Sequence, residues 1–206
     1  MRIVVGITGA TGVLYGVRLL RALGDLGVES HLVMSRWAEA TILKETSFSL
    51  RQVRDLAFAV HGRDDMGAAI SSGSFRHDGM VIVPCSMKTL SAVRHGHSDT
   101  LIARAADVSL KERRRLVLAV RETPLSEIHL ENMLALSRMG AIVAPAVPAF
   151  YNEPQTIDDL VDHSVGRILD LFGLELPELR RWAGMGVATT EGTAARLPRI
   201  GRQEPS

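Results

Sequence analysis

The chain has 206 residues, of which 46% are hydrophobic, so it is long enough to bury one substantial core. Its 24 basic and 23 acidic side chains leave a net charge of only +1, which excludes the broad positive field that would attract nucleic acid or an anionic membrane surface. The longest nearly uncharged apolar stretch, residues 141–150, contains two prolines and is too short to span a bilayer.

The N-terminus and the cysteine content indicate the compartment. Residues 1–6 lack the long apolar segment of a secretory signal. The single cysteine, Cys85, has no internal disulfide partner, which is consistent with a reducing environment. We therefore expect a cytoplasmic protein without cysteine-based metal clusters.

The first part of the chain alternates strand and helix patterns. Residues 2–8 form a β-branched run that ends in the glycine-rich turn 9–12, and leucines then recur at helical spacing. Residues 28–34 again resemble a strand, and Ser35 predicts the N-cap of a helix that runs to Glu45.

Three later apolar runs predict further strands with helices between them. The strand predictions are residues 80–84, 116–120 and 141–144, and the helix predictions are residues 88–95, 101–113, 126–138 and 156–172. Because parallel neighbours need crossover connections, this order predicts an α/β fold with a doubly wound parallel sheet in three αβα layers. Such sheets bind ligands beyond the carboxyl ends of their strands.

No linker divides the chain, so we expect a single domain over residues 1–185. From residue 186 the sequence loses periodicity and is rich in Gly, Thr, Arg and Pro, which predicts a mobile C-terminal tail over residues 186–206.

The first strand leads into residues 6–12, which carry little side-chain bulk and precede a helix. Backbone N–H groups there can approach a phosphate, although a merely tight turn has the same composition. The spacing of Gly6, Gly9 and Gly12 is not the dinucleotide fingerprint, so a nicotinamide cofactor is not indicated.

Other loops place polar residues beside predicted strand ends. Each has an ordinary explanation: a capped helix for residues 85–89, a simple turn for 71–74, a salt-bridged loop for 121–124, and core packing of the Tyr151 ring for 150–154. His95 and His97 have no nearby third ligand, and His129 and Glu131 point apart on a predicted helix, so no metal site is predicted.

Taken in chain order, several segments closely resemble the UbiX-like flavin prenyltransferases, over roughly residues 2–182. They are residues 6–12, 84–90, 104–108, 121–125 and 129–134, extended by 148–151 and 165–168. The resemblance implies a flavodoxin-like Rossmann fold and a homo-oligomer, commonly a dodecamer, with active sites shared between subunits. It also implies an enzyme that joins a dimethylallyl group to N5 and C6 of reduced FMN without a metal, for use by a partner UbiD-like decarboxylase.

The resemblance further implies a role for individual residues. The FMN contacts correspond to Gly9, Ala10, Thr11, Ser35, Ser86, Met87, Lys88, Thr89 and Arg121. The prenyl-phosphate clamp corresponds to Lys111, Tyr151 and Arg167, and Arg104, Ser72 and Gly73 are further candidates for substrate binding. Cations and a phenol suit this role because they stabilise the negative charge on a departing phosphate. A carboxylate is needed to remove the flavin proton, with Glu122 as the first candidate and Glu45 as the second.

Two residues differ from the family's pattern, and they leave the identity of the prenyl donor open. Thr11 stands where many relatives have serine, which keeps the hydroxyl, and Met66 stands where some have tryptophan, which removes a π face. The donor is therefore dimethylallyl monophosphate, the diphosphate or another prenyl chain. An FMN-dependent cysteine-type decarboxylase and a noncatalytic flavin carrier are the alternative functions.

Overall fold

The computed structural model describes residues 1–176 together with residues 179 and 184, so the predicted tail at 186–206 lies outside the described residues. One parallel sheet has the strand order β3-β2-β1-β4-β5-β6. Its strands are β1 (Arg2–Ile7), β2 (Glu29–Met34), β3 (Ala59–His61), β4 (Gly79–Cys85), β5 (Arg115–Val120) and β6 (Ile142–Val143). This is the order of a doubly wound Rossmann sheet.

Most of the helices connect successive strands as crossovers, and the last helix follows the last strand. The helices are α1 (Val13–Asp25), α2 (Arg36–Glu45), α3 (Leu50–Asp55), α4 (Met87–His95), α5 (Leu101–Lys111), α6 (Glu127–Arg138) and α7 (Ile157–Asp170), with a short 3₁₀ turn at Ala69–Ser71. Across the described ranges, none of these helices has the length and apolar character needed to cross a membrane.

Two hydrophobic clusters lie on opposite faces of the sheet. Successive residues of β1 alternate between them: Ile3, Val5 and Ile7 belong to the first cluster, and Val4 belongs to the second. The first cluster is completed by α1, α2, α3 and α7, and the second by α4, α5 and α6. Burial of each large aliphatic side chain contributes about 1.5–3 kcal/mol. The prediction of three αβα layers is confirmed.

The predicted helix starts are reproduced by hydrogen bonds. The Ser35 hydroxyl accepts from the Ala38 N–H at 3.1 Å, and Thr156 forms a capping box with Asp159 at the start of α7. The strand predicted at residues 141–144 is shorter, and the helix predicted at 101–113 ends two residues earlier at Lys111. The sequence analysis did not predict α3, which has only six residues, or the edge strand β3. Strand β3 has only three residues, and its side chains are partly exposed.

Hydrogen bonds tie together the carboxyl ends of the central strands. The buried Thr8 hydroxyl donates to the Pro84 carbonyl at 2.6 Å and accepts from the Ser86 N–H at 2.9 Å. The Arg121 N–H donates to the Cys85 carbonyl at 3.1 Å. The loops after β1, β4 and β5 are thereby held in one arrangement.

We predict that Thr8→Val lowers the free energy of unfolding by about 2 kcal/mol, because it removes the partner of a buried carbonyl and of a partly buried N–H. Thr8→Ser is the matched control, since it keeps the hydroxyl and loses only a methyl group, at about 1 kcal/mol. Urea unfolding followed by circular dichroism measures both. Equal midpoints for the two variants would contradict the role given to the hydroxyl.

Candidate functional site

The carboxyl ends of β1 and β4 mark the point where the strand order reverses. From β1 the chain proceeds outward through β2 to β3, whereas β4 begins the opposite half of the sheet. A crevice opens at such a switch point, and it is the usual ligand site of this architecture. The turns that follow β1, β2, β4 and β5, together with the first turn of α4, carry all nine residues predicted to contact FMN: Gly9, Ala10, Thr11, Ser35, Ser86, Met87, Lys88, Thr89 and Arg121. We call these loops the carboxyl-edge crevice.

The turn after β1 presents its N–H groups to an anion. Gly12 is the N-cap of α1 with φ of 90°, and no side chain of its own caps the helix. Instead, the carboxylate of Glu45 accepts from the Gly12 N–H at 2.8 Å and from the Val13 N–H at 3.3 Å, and it also accepts from the Thr11 hydroxyl. A carboxylate therefore occupies the helix start at which we expected a phosphate. The turn is built to bind anionic oxygens rather than only to be tight.

Glycine is required at position 9 by the neighbouring helix. A methyl group on Gly9 would overlap the Cβ atom of Trp37 and lie 3.1 Å from its backbone carbonyl carbon. The Trp37 side chain itself is 72% exposed beside the turn. The close approach of α2 therefore places an exposed indole next to the turn.

The loop after β4 contributes small polar groups. The Ser86 hydroxyl accepts from the Thr89 N–H at 3.4 Å, which starts α4, while Lys88 is exposed. Cys85 precedes them and is fully buried, and its desolvation raises the pKa of the thiol to about 12. It is therefore a neutral packing residue and not a nucleophile.

The loop after β5 carries one basic and one acidic side chain, and both are exposed to solvent. Arg121 and Glu122 are exposed, and neither forms an ion pair within residues 1–176. Among the residues that the structure describes, the adjacent Thr123 N–H is the one donor to the Glu122 carboxylate, at 3.1 Å. The salt-bridged loop considered for this segment is thus not formed, and Glu122 is freer to turn towards a ligand than Glu45.

Lys111 lies at the end of the sheet where the strands begin, opposite the carboxyl-edge crevice. It is the last residue of α5 and precedes the first residue of β5, Arg115, whereas Gly9 follows the carboxyl end of β1. Lys111 pairs with Glu112, and this hydrogen bond and the positive charge lower the pKa of the Glu112 carboxyl. A methyl group on Gly73 would lie 2.7 Å from the Lys111 Nζ atom.

Arg104 and Ser72 extend this region along α5. Arg104 donates to the Ser71 carbonyl at 3.0 Å and pairs with Asp107 at 2.7 Å, and Ser72 is exposed next to it. Four predicted substrate residues therefore gather along α5 and the 71–74 loop. We call Lys111, Arg104, Ser72 and Gly73 the α5 group.

Tyr151 and Arg167 form a third location with a residue that we did not predict. The Tyr151 hydroxyl is 2.8 Å from Nε2 of His163, and Arg167 lies one helical turn beyond His163 on α7. Arg167 pairs with Asp170 at 2.7 Å. Tyr151 is 48% exposed, so core packing does not explain its ring. We call Tyr151, His163 and Arg167 the α7 group.

A cavity of about 340 Å³ adjoins the α7 group. Its walls include His163 and Arg167 on one side and the segment that follows β6, residues 144–147, on the other.

The i, i+4 spacing of His163 and Arg167 was the available sequence signal for His163, but such spacing is common on surface helices. Within residues 1–176, no group of three His, Cys, Asp or Glu side chains could hold a metal ion.

Comparison with known proteins gives a consistent picture. Residues 1–169 match the flavoprotein family. A probable UbiX-like flavin prenyltransferase of Streptomyces sp. (strain D7) is 65% identical over 189 residues, which are 91% of this chain and 94% of the relative.

Two solved structures extend the comparison. The structure of AnUbiX (PadA1) in complex with FMN and dimethylallyl pyrophosphate is 60% identical, with a TM-score of 0.89 over 90% of this chain and 98% of that chain. A dodecameric FMN-dependent UbiX-like decarboxylase from Escherichia coli O157:H7 is 60% identical, with a TM-score of 0.88 over 89% of this chain and 100% of that chain. By contrast, the FMN-dependent cysteine decarboxylase SpaF is 18% identical with a TM-score of 0.58, so it shares the fold alone.

With its sheet order, its anion-binding first turn and this degree of identity, the chain belongs to the flavoprotein family and, within it, to the UbiX-like flavin prenyltransferases.

Proposed function

We propose that this chain transfers a dimethylallyl group from dimethylallyl phosphate to N5 and C6 of reduced FMN, giving prenylated FMN for a UbiD-like decarboxylase. The observation that carries the proposal is the carboxyl-edge crevice, whose first turn already binds a carboxylate through two backbone N–H groups. The relative AnUbiX, which shares 60% of its residues with this chain, was solved with both FMN and dimethylallyl pyrophosphate.

The crevice fits FMN by the chemistry of its loops. The backbone N–H groups of residues 9–11, which precede those that donate to Glu45, are proposed to bind the phosphate, and the small residues Gly9 and Ala10 let it approach closely. Ser35, Ser86 and Thr89 would offer hydroxyl groups to the flavin, and Arg121 would offer an exposed cation. When bound, reduced FMN supplies the two ring atoms that accept the dimethylallyl group.

The residues of the clamp act on the leaving group. Lys111 and Arg167 carry fixed positive charges, and the Tyr151 hydroxyl can donate a hydrogen bond, so together they stabilise the negative charge that collects on the phosphate oxygens. Loss of one such donor typically costs about 3 kcal/mol of activation free energy, or on the order of a hundredfold in rate.

Glu122 is the proposed base for the proton lost from C6. It is exposed at the carboxyl end of β5, and its one hydrogen bond joins it to the N–H of the next residue. Glu45 is held instead by Gly12, Val13 and Thr11, which directs its carboxylate at the turn. We assign to Glu45 the fixing of the turn and keep it as the second candidate base.

Assembly follows from the positions of these groups. Lys111 and Gly9 lie at opposite edges of one sheet, so a complete site needs residues from more than one copy of the chain. The related protein from Escherichia coli O157:H7 is dodecameric. We propose a homododecamer of single flavin-binding domains over residues 1–185, located in the cytoplasm.

The first prediction for this function concerns the reaction itself. Anaerobic incubation of the protein with reduced FMN and dimethylallyl monophosphate is expected to give a prenylated flavin, detected by mass spectrometry. Parallel samples with the diphosphate test which ester is the prenyl donor. The sequence leaves the donor open because Met66 stands where some relatives have tryptophan. Flavin binding without a product from either donor would instead support a noncatalytic carrier, and release of CO₂ from a peptidyl cysteine would support the decarboxylase.

Glu122→Gln is expected to lower the yield of the four-ring product at least about tenfold, because the amide cannot accept the proton. The FMN dissociation constant should not change, and its measurement by fluorescence quenching is the control. Glu45→Gln is the matched variant. A normal yield from Glu122→Gln together with a loss in Glu45→Gln would transfer the role of base to Glu45.

Shared sites predict complementation between two inactive variants. Lys111→Met removes a charge from the α5 group and Glu122→Gln alters the crevice, so oligomers of either variant alone should be weakly active. When the two are coexpressed with different affinity tags, roughly one site in four receives both intact residues if Lys111 and Glu122 come from different subunits.

The measurement is the activity of mixed oligomers purified through both tags. The control is the mixture of the two separately assembled variants, which should stay inactive. Mixed oligomers as inactive as either parent would show that one subunit supplies both residues.

A further inference from the structure

Arg114 has no assigned role, yet its side chain holds the loop at residues 71–75. One terminal nitrogen of its guanidinium group, Nη2, donates to the Gly73 carbonyl at 2.7 Å, and the other, Nη1, donates to the Phe75 carbonyl at 2.7 Å. Arg114 is partly buried. The rigid planar fork of the guanidinium group fixes the position of one carbonyl relative to the other, which a single flexible donor would not do.

The end of α5 directs Arg114 towards this loop. Arg113 has a left-handed φ of 56°, and its N–H donates to the Leu110 carbonyl at 3.1 Å. The Arg114 N–H donates to the Ser109 carbonyl at 2.8 Å. These two bonds and the left-handed residue form a Schellman motif, which ends the helix and fixes the direction of the chain that leaves it. Arg114 is thus set by the backbone only three residues after Lys111.

The loop lies beside the ammonium group of Lys111. A methyl group on Gly73 would be 2.7 Å from the Lys111 Nζ atom. Lys111 pairs with Glu112, but an ammonium group has three N–H donors, so others remain for a bound anion. Among the residues that the structure describes, none accepts from the Gly73 N–H. The loop therefore brings a backbone donor close to a cation, and both are common ligands of phosphate.

Arg104 holds the other end of the same loop. Its Nε atom donates to the Ser71 carbonyl at 3.0 Å, and its Nη1 atom pairs with Asp107 at 2.7 Å. With the two carbonyls bound by Arg114, the carbonyls of three alternate loop residues are held by guanidinium groups. Arg104 is itself a candidate for substrate binding, whereas each terminal nitrogen of Arg114 is bound to the loop. This difference favours a role for Arg114 on the loop rather than on the substrate.

We propose that Arg114 is a positioning residue for the phosphate of the prenyl donor. By binding the carbonyls of Gly73 and Phe75, it holds the loop in the arrangement in which the Gly73 N–H and Lys111 receive that phosphate. This inference rests on the proposed function, because it deepens the role of the α5 group in that reaction. Arg114 itself does not touch the substrate.

The first test compares two neighbouring arginines in steady-state kinetics with dimethylallyl monophosphate. Arg114→Met keeps a long unbranched side chain and should raise KM about tenfold while lowering kcat less than about threefold, because the phosphate ligands are present but no longer held together. Arg113→Met removes the same charge at an exposed neighbouring position and should leave both constants native. Equal changes in the two variants, or a native KM for Arg114→Met, would overturn the proposal.

A lysine replacement separates the paired donors from the positive charge. Arg114→Lys keeps the charge on a flexible chain but lacks the planar fork that binds both carbonyls at once. We expect its KM to lie between the native value and that of Arg114→Met, at about threefold above native. A native KM for Arg114→Lys would show that charge alone is sufficient, which contradicts positioning through two carbonyls.

Flavin binding separates a local effect from general damage to the fold. Arg114 precedes the first residue of β5, so it lies at the opposite end of the sheet from the carboxyl-edge crevice. The FMN dissociation constants of all three variants, measured by fluorescence quenching, should therefore be native. A loss of FMN affinity that parallels the rise in KM would assign Arg114 to the stability of the fold and overturn the proposal.

Phosphate binding distinguishes failure of this inference from failure of the proposed function. If the native protein forms no prenylated flavin, the transferase function fails, and calorimetric titration of the FMN-loaded protein with inorganic phosphate still decides the role of Arg114. The native protein and Arg113→Met should bind phosphate equally, Arg114→Lys more weakly and Arg114→Met most weakly. Equal affinities in the four proteins, including no binding by any of them, would remove Arg114 from phosphate binding.

Discussion

The hydroxyl of Thr8 is the contact on which the carboxyl-edge crevice depends. It joins the loops after β1 and β4 by donating to Pro84 and accepting from Ser86. The Arg121 N–H extends the connection to the loop after β5. Parallel strands bring their carboxyl ends to one edge of the sheet, but they do not fix the loops beyond that edge. These few hydrogen bonds do so, and the proposed flavin contacts inherit their positions from them.

The same sheet that gathers the flavin loops separates them from Lys111. Because α5 runs back across the sheet, its last residue lies near the start of β5. A parallel doubly wound fold cannot bring the end of a crossover helix to the carboxyl edge, whatever its sequence. The proposed role of Lys111 in catalysis therefore requires contact between subunits, so in this proposal assembly is part of the active site.

The sequence predicted most of the fold because each element carries its own signals. Uninterrupted apolar runs marked β4 and β5, and Ser35 and Thr156 marked helix starts that the hydrogen bonds reproduce. The edge strand β3 was missed because three half-buried residues give no periodicity. The resemblance supplied the roles proposed for the site residues. It did not supply the hydrogen bonds of Glu45 to the first turn, because these join residues that are distant in sequence. It also did not supply the contact of His163 with Tyr151, because the spacing of His163 from Arg167 is common on surface helices and does not single out this histidine.

The burial of Cys85 has a consequence for an enzyme that handles a reduced flavin. Such flavins react with dissolved oxygen to give hydrogen peroxide, and peroxide oxidises cysteine through its thiolate. With its pKa raised to about 12, the Cys85 thiol remains protonated at cellular pH, and the residue is fully buried. The sulfur atom next to the crevice is thereby shielded from a by-product that the cofactor itself would release in air.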